Sequence, residues 1–457
     1  MEPPDVGELV PPDRTLMGPG PSEVHPRVRR AMSTPLIGHL DPAFVDPMDE
    51  VQELLRYAFR TDNEFTVPVS GTGSAAMESA IANLTAPDDT VLVPDNGYFG
   101  DQSYFGDRMA SMVRRAGGTV ERVSAPWGAP LDPDDVAAAC ERHDPDVVGF
   151  VHAETSTGVR QPDVPALTEI AHDHGALTIA DTVTSLGGVE LRVDEWEIDA
   201  AYSATQKCLS APPGASPLTL SERAVEKVTN RDAPVRSWYL DLSLLADYWG
   251  KERAYHHTAP ITNVYALREA LRLVAEEGIE TRWERHERVA GALREGVEAM
   301  GLGLASESWL PSLNTVALPD GVDDAAVIDH LRSEHGIEIA GGLGDLAGDV
   351  LRVGCMGHSA RPANVLALVA ALGDALVAQD GDIDPDAGLA AARHGLSPTV
   401  VVLSVGSPHV RFTRSRKTAT RSLDVERRMP PTHSIRRRAR GRARDGAPRS
   451  RRHRRRR

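Results

Sequence analysis

Strand-like apolar runs alternate with helical segments through the first half of the chain, and this alternation constrains its fold more than any other feature. Strands are predicted at residues 64–70, 90–94, 146–152, 176–180 and 200–204. Helices are predicted at residues 75–84, 107–115 and 164–174. Gly175, which follows the last of these helices, is a typical C-cap residue. Strands that alternate with helices indicate an α/β fold with a mostly parallel sheet covered on both faces.

After about residue 263 the pattern becomes α+β, which predicts a second, smaller domain. Its helices are predicted at residues 265–278, 280–300 and 364–378. Its short strands are predicted at residues 315–317, 336–340 and 350–353. The predicted organisation has four parts: an N-terminal arm at 1–25, a large domain at 26–263, a small C-terminal domain at 264–385, and a disordered basic tail at 386–457.

The charge of the chain changes sign near its end. From Pro398 onward there are 20 Lys+Arg and 3 Asp+Glu, whereas the preceding part holds 30 basic and 63 acidic residues, a net charge of −33. High acidity with only three lysines in that part resembles proteins of salt-loving microbes, whose self-repulsion is screened over ~3 Å at about 1 M salt. An ordinary acidic enzyme encoded by GC-rich DNA is the alternative. We predict a halophilic origin.

Arginine blocks without apolar periodicity dominate the tail, ending in the run at residues 451–457. One interpretation is a nucleic-acid-binding arm, because basic arms neutralise phosphates. The other is a non-native extension, such as translation of GC-rich DNA in a shifted frame. No aromatic residue follows Phe412, so stacking on bases is not indicated. The abrupt reversal of charge favours the second interpretation, and both predict disorder.

Several classes of protein are disfavoured by what the sequence lacks. No apolar stretch approaches the roughly 18 residues of a membrane helix, and the acidic, proline-rich N-terminus does not look like a secretory signal. The three cysteines are far apart and form no CxxC pair, so neither a zinc site nor a disulfide framework is predicted. His256 and His257 are adjacent, and in a strand they would point to opposite faces rather than bind one metal. We predict a cytoplasmic protein without a metal site.

Two residues at the ends of neighbouring predicted strands suggest a specific chemistry. Asp181 ends the strand at 176–180, where an acid serves as a metal ligand, a hydroxyl acceptor, a partner for a protonated ring nitrogen, or a purely structural residue. Lys207 lies 26 residues later, beyond the strand at 200–204 and just before a Pro-Pro-Gly turn. An acid and a lysine on adjacent strands could flank one aromatic cofactor. Pyridoxal 5′-phosphate (PLP) needs both, since a lysine amine carries it and a carboxylate holds its ring-nitrogen proton.

A glycine-rich turn, Ser70-Gly71-Thr72-Gly73-Ser74, opens the first predicted helix. Glycines allow close approach of the backbone, and a helix N-terminus offers free N–H groups to a phosphate. The turn matches neither a Walker loop nor a GxGxxG fingerprint, which disfavours a nucleotide site.

Several motifs in the same order resemble the class V aminotransferases of the alanine–glyoxylate and serine–pyruvate type. The resemblance runs from the Gly-Pro-Gly-Pro turn at Gly18 to about Leu372. The matching stretches are at residues 70–73, 154–159, 181–188, 206–207, 211–214, 237–241, 255–258 and 341–344.

The resemblance implies the PLP-dependent transferase fold (aspartate-aminotransferase-like, fold type I), a PLP cofactor and a homodimer with shared active sites. It also implies transfer of the amino group of alanine or serine to glyoxylate or pyruvate by a ping-pong mechanism. The alternatives are a class V enzyme with another donor, such as aspartate, and a lyase or cysteine desulfurase, which needs a reactive cysteine.

Individual roles follow from the resemblance, residue by residue. Lys207 and Asp181 match the catalytic lysine, which carries the cofactor as a Schiff base, and the partner of the pyridine nitrogen. Contacts to the cofactor or substrate are implied for the phosphate cradle Thr72, Gly73, Ser74 and Gln206, for Thr155 at the ring oxygen, for Phe99 stacked on the ring, for Tyr255 and Thr258 at the neighbouring subunit's phosphate, for Arg352 at the substrate carboxylate, and for Gly20 beside the substrate pocket. Phe99 stands where relatives often have tryptophan, and Ser74 where some have histidine.

Overall fold

A computed structural model describes residues 1–95 and 106–397 of the chain, so Phe99 and the arginine-rich tail lie outside the described residues. The strands are β1 (Thr15–Leu16), β2 (Phe65–Gly71), β3 (Thr90–Asp95), β4 (Thr119–Ser124), β5 (Val147–Val151), β6 (Ala153–Glu154), β7 (Val159–Arg160), β8 (Leu177–Asp181), β9 (Ala200–Tyr202), β10 (Gly214–Leu220), β11 (Leu313–Ala317), β12 (Ile337–Glu338), β13 (Ala340–Gly341) and β14 (Val350–Gly354). The helices are α1 (Pro26–Met32), α2 (Pro42–Phe59), α3 (Gly73–Leu84), α4 (Gly106–Ala116), α5 (Pro133–His143), α6 (Val164–Asp173), α7 (Glu222–Thr229), α8 (Leu242–Trp249), α9 (Ile261–Glu277), α10 (Ile279–Met300), α11 (Asp324–Glu334), α12 (Pro362–Val377) and α13 (Pro385–Gly395).

A seven-stranded sheet in the order β2-β10-β9-β8-β5-β3-β4 is the largest feature of the fold. Neighbouring strands from β9 to β4 pair in parallel, and β10 pairs antiparallel with both β9 and β2. Every residue of β5, β8 and β9 is buried, as expected for parallel strands covered on both faces. The predicted mostly parallel sheet is therefore confirmed.

Alternate residues along the strands enter two different apolar cores, one on each face of the sheet. Val148 and Ala180 pack in a core with Phe44 and Trp249, whereas Val147 and Ile179 pack in a core with helix α3. This alternation follows from the two-residue period of a strand. Because β8 and β9 are parallel, both strands end at the same edge of the sheet. Asp181 and Tyr202, the last residues of these strands, line a cavity at that edge.

A third apolar core is built from the C-terminal elements. The three-stranded sheet β11-β14-β13 packs with helices α10, α11 and α12 around residues such as Val289, Leu293, Val353 and Leu372. The N-terminal strand β1 joins this part of the fold by pairing in parallel with β12.

Helix α13 corrects the predicted start of the basic tail. Residues 385–395 are helical and bury Ala392 in the third core, so the boundary at residue 386 is too early. The helix approaches α10 closely: a Cβ on Gly388 would lie 2.9 Å from the carbonyl oxygen of Gly296. Small residues permit this contact, and their weak hydrophobic pattern explains why the sequence did not indicate a helix.

No helix in the described residues is long and apolar enough to cross a membrane.

Candidate active site

Asp181 ends strand β8 with its carboxylate held by two donors. Oδ1 accepts the backbone N–H of Val183 at 2.9 Å, and Oδ2 accepts the hydroxyl of Tyr202 at 2.8 Å. Asp181 and Tyr202 are register partners in the parallel pair β8–β9, which brings their side chains together. Burial raises the pKa of Asp181 to about 6, although both donors and the nearby Lys207 favour the ionised form.

Lys207 lies in the turn that follows β9, with its ammonium in contact with the N-terminal arm. Its Nζ donates to the carbonyl oxygen of Pro19, and a Cβ on Gly20 would lie 2.7 Å from the same Nζ. The hydroxyl of Ser22 also donates to the Lys207 carbonyl at 2.6 Å. Burial lowers the pKa of Lys207 to about 8, and the charge of Arg352 acts in the same direction. More of the amine is therefore neutral near pH 7 than for an exposed lysine.

Asp181 and Lys207 line one cavity of about 210 Å³. Seven residues predicted for the site are in its wall: Thr72, Gly73, Ser74, Thr155, Asp181, Gln206 and Lys207. Eight further residues complete the wall: Met77, Arg108, Val151, Ala153, Val183, Thr184, Tyr202 and Ala204. Two larger grooves of the described residues, of about 380 and 590 Å³, have no lysine in their walls.

The N-terminus of helix α3 opens into this cavity. Thr72 is the N-cap residue, and its side chain makes no capping hydrogen bond. Gly73 follows at a point of close approach, since a Cβ there would lie 2.9 Å from the Cβ of Ala204. The first N–H groups of a helix have no partner within the helix and suit an anion.

The side-chain Oε1 of Gln206 is buried and has no hydrogen-bond partner in the described part of the chain. A buried polar atom without a partner is costly, so a polar ligand beside it would be stabilising. A carboxylate, a lysine amine, a helix N-terminus and this amide therefore surround one cavity. Together they fit the ring nitrogen, aldehyde carbon and phosphate of PLP.

Arg352 borders the cavity without lining it. It lies in the buried strand β14, where its Nε donates to the Gly341 carbonyl at 2.7 Å and its Nη1 to the Thr155 carbonyl at 3.3 Å. Glu154 precedes Thr155 and is buried, with Oε1 accepting both the N–H and the hydroxyl of Ser156. Burial raises the pKa of Glu154 to about 7.

Tyr255 and Thr258 do not line the cavity of their own chain. Both are exposed, Tyr255 by 64%. Between them, His256 and His257 lie in a segment without strand structure, and their Nδ1 atoms are 2.7 Å apart. The expectation that the two rings point to opposite faces is therefore wrong, because it assumed a strand.

Sequence reasoning missed Tyr202 and Arg108, which both line the cavity. For Tyr202 a signal existed, because aligning the ends of two adjacent parallel strands places it beside Asp181. Arg108 enters the wall from helix α4, far from the motifs in sequence, and nothing local marked it.

A family model described as aminotransferase class-V matches residues 30–351. The chain belongs to this family. It is 42% identical to (S)-ureidoglycine–glyoxylate transaminase of Bacillus subtilis, over 84% of this chain and 96% of that protein. It is 37% identical to alanine–glyoxylate aminotransferase of Drosophila melanogaster, over 80% of this chain and 93% of that protein.

Two solved structures of aminotransferases have the same fold. Alanine–glyoxylate aminotransferase from Nostoc sp. is 50% identical with a TM-score of 0.79, covering 81% of this chain and 97% of its own. Ureidoglycine–glyoxylate aminotransferase from Bacillus subtilis is 43% identical with a TM-score of 0.82, covering 85% and 99%. The predicted family, the fold of PLP-dependent transferases, the PLP cofactor and the transaminase activity are thereby confirmed.

Proposed function

We propose that this class V aminotransferase moves the amino group of a small amino acid, alanine or serine, to glyoxylate or pyruvate. The observation that carries the proposal is that Lys207 and Asp181 line one cavity at the N-terminus of helix α3. Glyoxylate is the favoured acceptor, because it is the acceptor in the names of both relatives and both solved structures cited above. Their names differ in the donor, so the donor is the less constrained half of the reaction.

Bound PLP supplies an electron-withdrawing ring that stabilises negative charge at the substrate Cα. We assign the proton transfer at that carbon to Lys207, whose lowered pKa makes the amine a base near neutral pH. Asp181 would hold the proton of the ring nitrogen. The helix N-terminus at Thr72, Gly73 and Ser74 would bind the phosphate together with Gln206.

The substrate carboxylate is assigned to Arg352, which binds carboxylates through two parallel N–H donors. Its hydrogen bonds to the carbonyls of Gly341 and Thr155 fix the guanidinium at the border of the cavity. Thr155 lines the cavity and is assigned to the ring oxygen, and Gly20 to the edge of the substrate pocket.

A cysteine desulfurase is disfavoured by the state of the thiols. The chain has three cysteines, Cys140, Cys208 and Cys355, and all are buried. Burial raises their pKa values to about 11, 11 and 12. Desulfurization needs an accessible thiolate, which these environments suppress.

A homodimer is supported by an exposed aromatic patch around residues 238–239 and 255. Trp238 and Tyr255 are 63% and 64% exposed, and Tyr239 is also exposed. Trp238 and Tyr239 both pack against His256, the residue next to Tyr255. A contiguous aromatic surface of this kind is typical of a protein interface. Burial of this patch against a second copy would carry Tyr255 and Thr258 toward the neighbouring cofactor. Sedimentation velocity of the PLP-loaded protein tests the proposed homodimer, and a monomer would contradict it.

Three broader proposals rest on composition and packing. The 63 acidic against 30 basic residues before Pro398 support a halophilic enzyme, which unfolding measurements from low to molar KCl would test. The three buried free thiols are compatible with a cytoplasmic location. The separate C-terminal core supports a large domain at 26–263 and the arm at 1–25, with a small domain at 264–385 that extends through helix α13.

The first experiment identifies the lysine. Borohydride reduction of the PLP-loaded protein fixes the cofactor to the amine that carries it, and peptide mapping should find it on Lys207. Lys207→Ala should abolish labelling and turnover, whereas the exposed Lys251→Ala should alter neither. Labelling of another lysine would refute the site.

The second experiment defines the substrates. Alanine, serine, aspartate, glutamate and (S)-ureidoglycine should be assayed against glyoxylate, pyruvate and 2-oxoglutarate at molar KCl. Alanine or serine with glyoxylate should give the highest kcat/KM. Preference for aspartate or glutamate would refute the small-donor proposal.

A further inference from the structure

A chain of hydrogen bonds runs from the end of strand β2 to the histidine pair beside the active site. The Ser70 Oγ lies 2.6 Å from Nε2 of His257, and Nδ1 of His257 lies 2.7 Å from Nδ1 of His256. Nε2 of His256 lies 3.4 Å from the carbonyl oxygen of Trp238. We call Ser70, His257 and His256 the histidine relay.

The terminal carbonyl fixes the direction of the relay when both rings are neutral. A carbonyl oxygen only accepts, so His256 carries its hydrogen on Nε2 and offers a lone pair on Nδ1. His257 must then donate from Nδ1, which leaves its Nε2 to accept the hydroxyl of Ser70. The tautomer of His257 is therefore set by His256, and the direction of the Ser70 hydroxyl is set by His257.

Aromatic rings hold the two imidazoles in place. Trp238 stacks on His256 with ring centroids 4.3 Å apart and planes 17° from parallel. Tyr239 and Tyr248 each pack against His257, with ring centroids 5.2 Å apart. Burial, followed by the charges of His256 and His39, lowers the pKa of His257 to about 4, so this ring is neutral at physiological pH.

The two ends of the relay touch the two segments that the proposed function assigns to phosphate binding. Ser70 stands two residues before Thr72, the N-cap of helix α3, and its carbonyl accepts the Tyr239 hydroxyl at 3.3 Å. His256 and His257 stand between Tyr255 and Thr258, which are assigned to the neighbouring subunit's cofactor.

We propose that the histidine relay positions these two phosphate-binding segments against each other and so links retention of PLP in one subunit to assembly with the next. The inference rests on the proposed function. Ser70, His256 and His257 act as positioning residues, since none of them lines the cavity. With the relay intact, the start of helix α3 and residues 255–258 keep one relative position.

The test uses Ser70→Ala, which removes the first hydroxyl, and Ser70→Thr, which retains one. The dissociation constant for PLP, measured by titrating the cofactor-free chain, should rise about tenfold in Ser70→Ala, as expected for losing a hydrogen bond and leaving its partner unsatisfied. Ser70→Thr should restore most of the affinity. Ser243→Ala, which removes an exposed hydroxyl that donates to the N-cap Asp241 at the start of helix α8, is the matched control and should bind PLP like the unmodified protein.

A second pair of measurements separates a relay from independent contacts. His257→Phe should raise both the PLP dissociation constant and the dimer dissociation constant, the latter measured by sedimentation equilibrium. The double variant Ser70→Ala/His257→Phe should bind PLP no more weakly than the worse single variant, because both changes break one relay.

Additive losses, or an unchanged PLP affinity in Ser70→Ala, would overturn the relay. Neither result would touch the proposed function, which stands or falls with borohydride labelling of Lys207. Failure of that labelling with a normal Ser70→Ala response would indicate that the relay serves a different ligand and would overturn the inference as stated.

Discussion

The hydroxyl of Tyr202 donates a hydrogen bond of 2.8 Å to Oδ2 of Asp181, and both side chains are buried. The other carboxylate oxygen, Oδ1, accepts the backbone N–H of Val183. The phenol therefore opposes the effect of burial and helps to keep the carboxylate ionised.

Tyr202→Phe should raise the pKa of Asp181 above about 6, because the ionised form loses a donor. Hydrogen bonds to charged groups contribute about 1.5–3 kcal/mol, so kcat at pH 7 should fall by about tenfold or more. The acid limb of the pH–rate profile should move to higher pH. Tyr57→Phe is the control, since it removes a hydroxyl bonded to the Ile279 N–H away from the cavity. An unshifted acid limb would contradict the assignment.

Asp181→Asn should stabilise the cofactor-free chain in a pH-dependent way. The folded pKa of Asp181 is about 6 and its ordinary value is 3.8, so the folded state binds the proton more tightly than the unfolded state. Burial of the ionised carboxylate therefore costs free energy that is absent below about 3.8, builds up as the pH rises from about 3.8 to about 6, and is complete above 6.

Asparagine avoids this cost, so urea unfolding should show Asp181→Asn more stable than the unmodified chain by up to about 3 kcal/mol at pH 8, and much less at pH 4.5. The same variant should lose PLP binding and turnover. A stability difference between the two chains that does not change with pH would show that burial of the ionised Asp181 carboxylate does not cost this free energy.

Gly73→Ala should weaken PLP binding by displacing the start of helix α3. The new Cβ would lie 2.9 Å from the Cβ of Ala204, on the loop that leads to Lys207, and overpacking of this kind costs about 1–3 kcal/mol. We expect a PLP dissociation constant at least about tenfold higher. In Gly303→Ala the new Cβ would meet no atom within 4 Å, so that variant should bind PLP normally. Equal affinity in both variants would contradict the packing argument.

Two truncated chains test whether the arginine-rich tail contributes to the stability or the activity of the enzyme. A chain ending at Ser397 keeps helix α13 and should retain transamination and thermal stability. A chain ending at Asp384 uncovers the face of helix α10 that packs on Ala392, and each large apolar side chain left exposed costs about 1.5–3 kcal/mol. Differential scanning calorimetry should show a lower Tm for the shorter chain only. Loss of activity in the longer truncation would mean that the tail contributes to the enzyme.

The sheet could be predicted because its parallel strands are buried on both faces and are therefore continuously apolar. Strands β3, β5, β8 and β9 all fall within or beside the predicted runs. Strand β10 was missed, since Gly214 and Pro217 interrupt its pattern, and a proline argues against a central strand.

The site could be predicted where neighbours in space are marked by short motifs. The resemblance placed seven residues that the cavity brings together. Arg108 and Tyr202 could not be assigned in that way, because their positions depend on how α4 and β9 pack. The contact between His256 and His257 was not predicted for a similar reason, because it depends on the irregular backbone of residues 251–260.

The N-terminal arm has two attachments only a few residues apart. Thr15 and Leu16 extend the C-terminal part of the fold through β12, while Pro19 touches the ammonium of Lys207 and Ser22 bonds to that residue's carbonyl. A displacement of the C-terminal elements would therefore move Pro19 relative to the amine of Lys207. The environment of Lys207 and the placement of the C-terminal sheet are thus coupled through one short segment of the chain, residues 15–22.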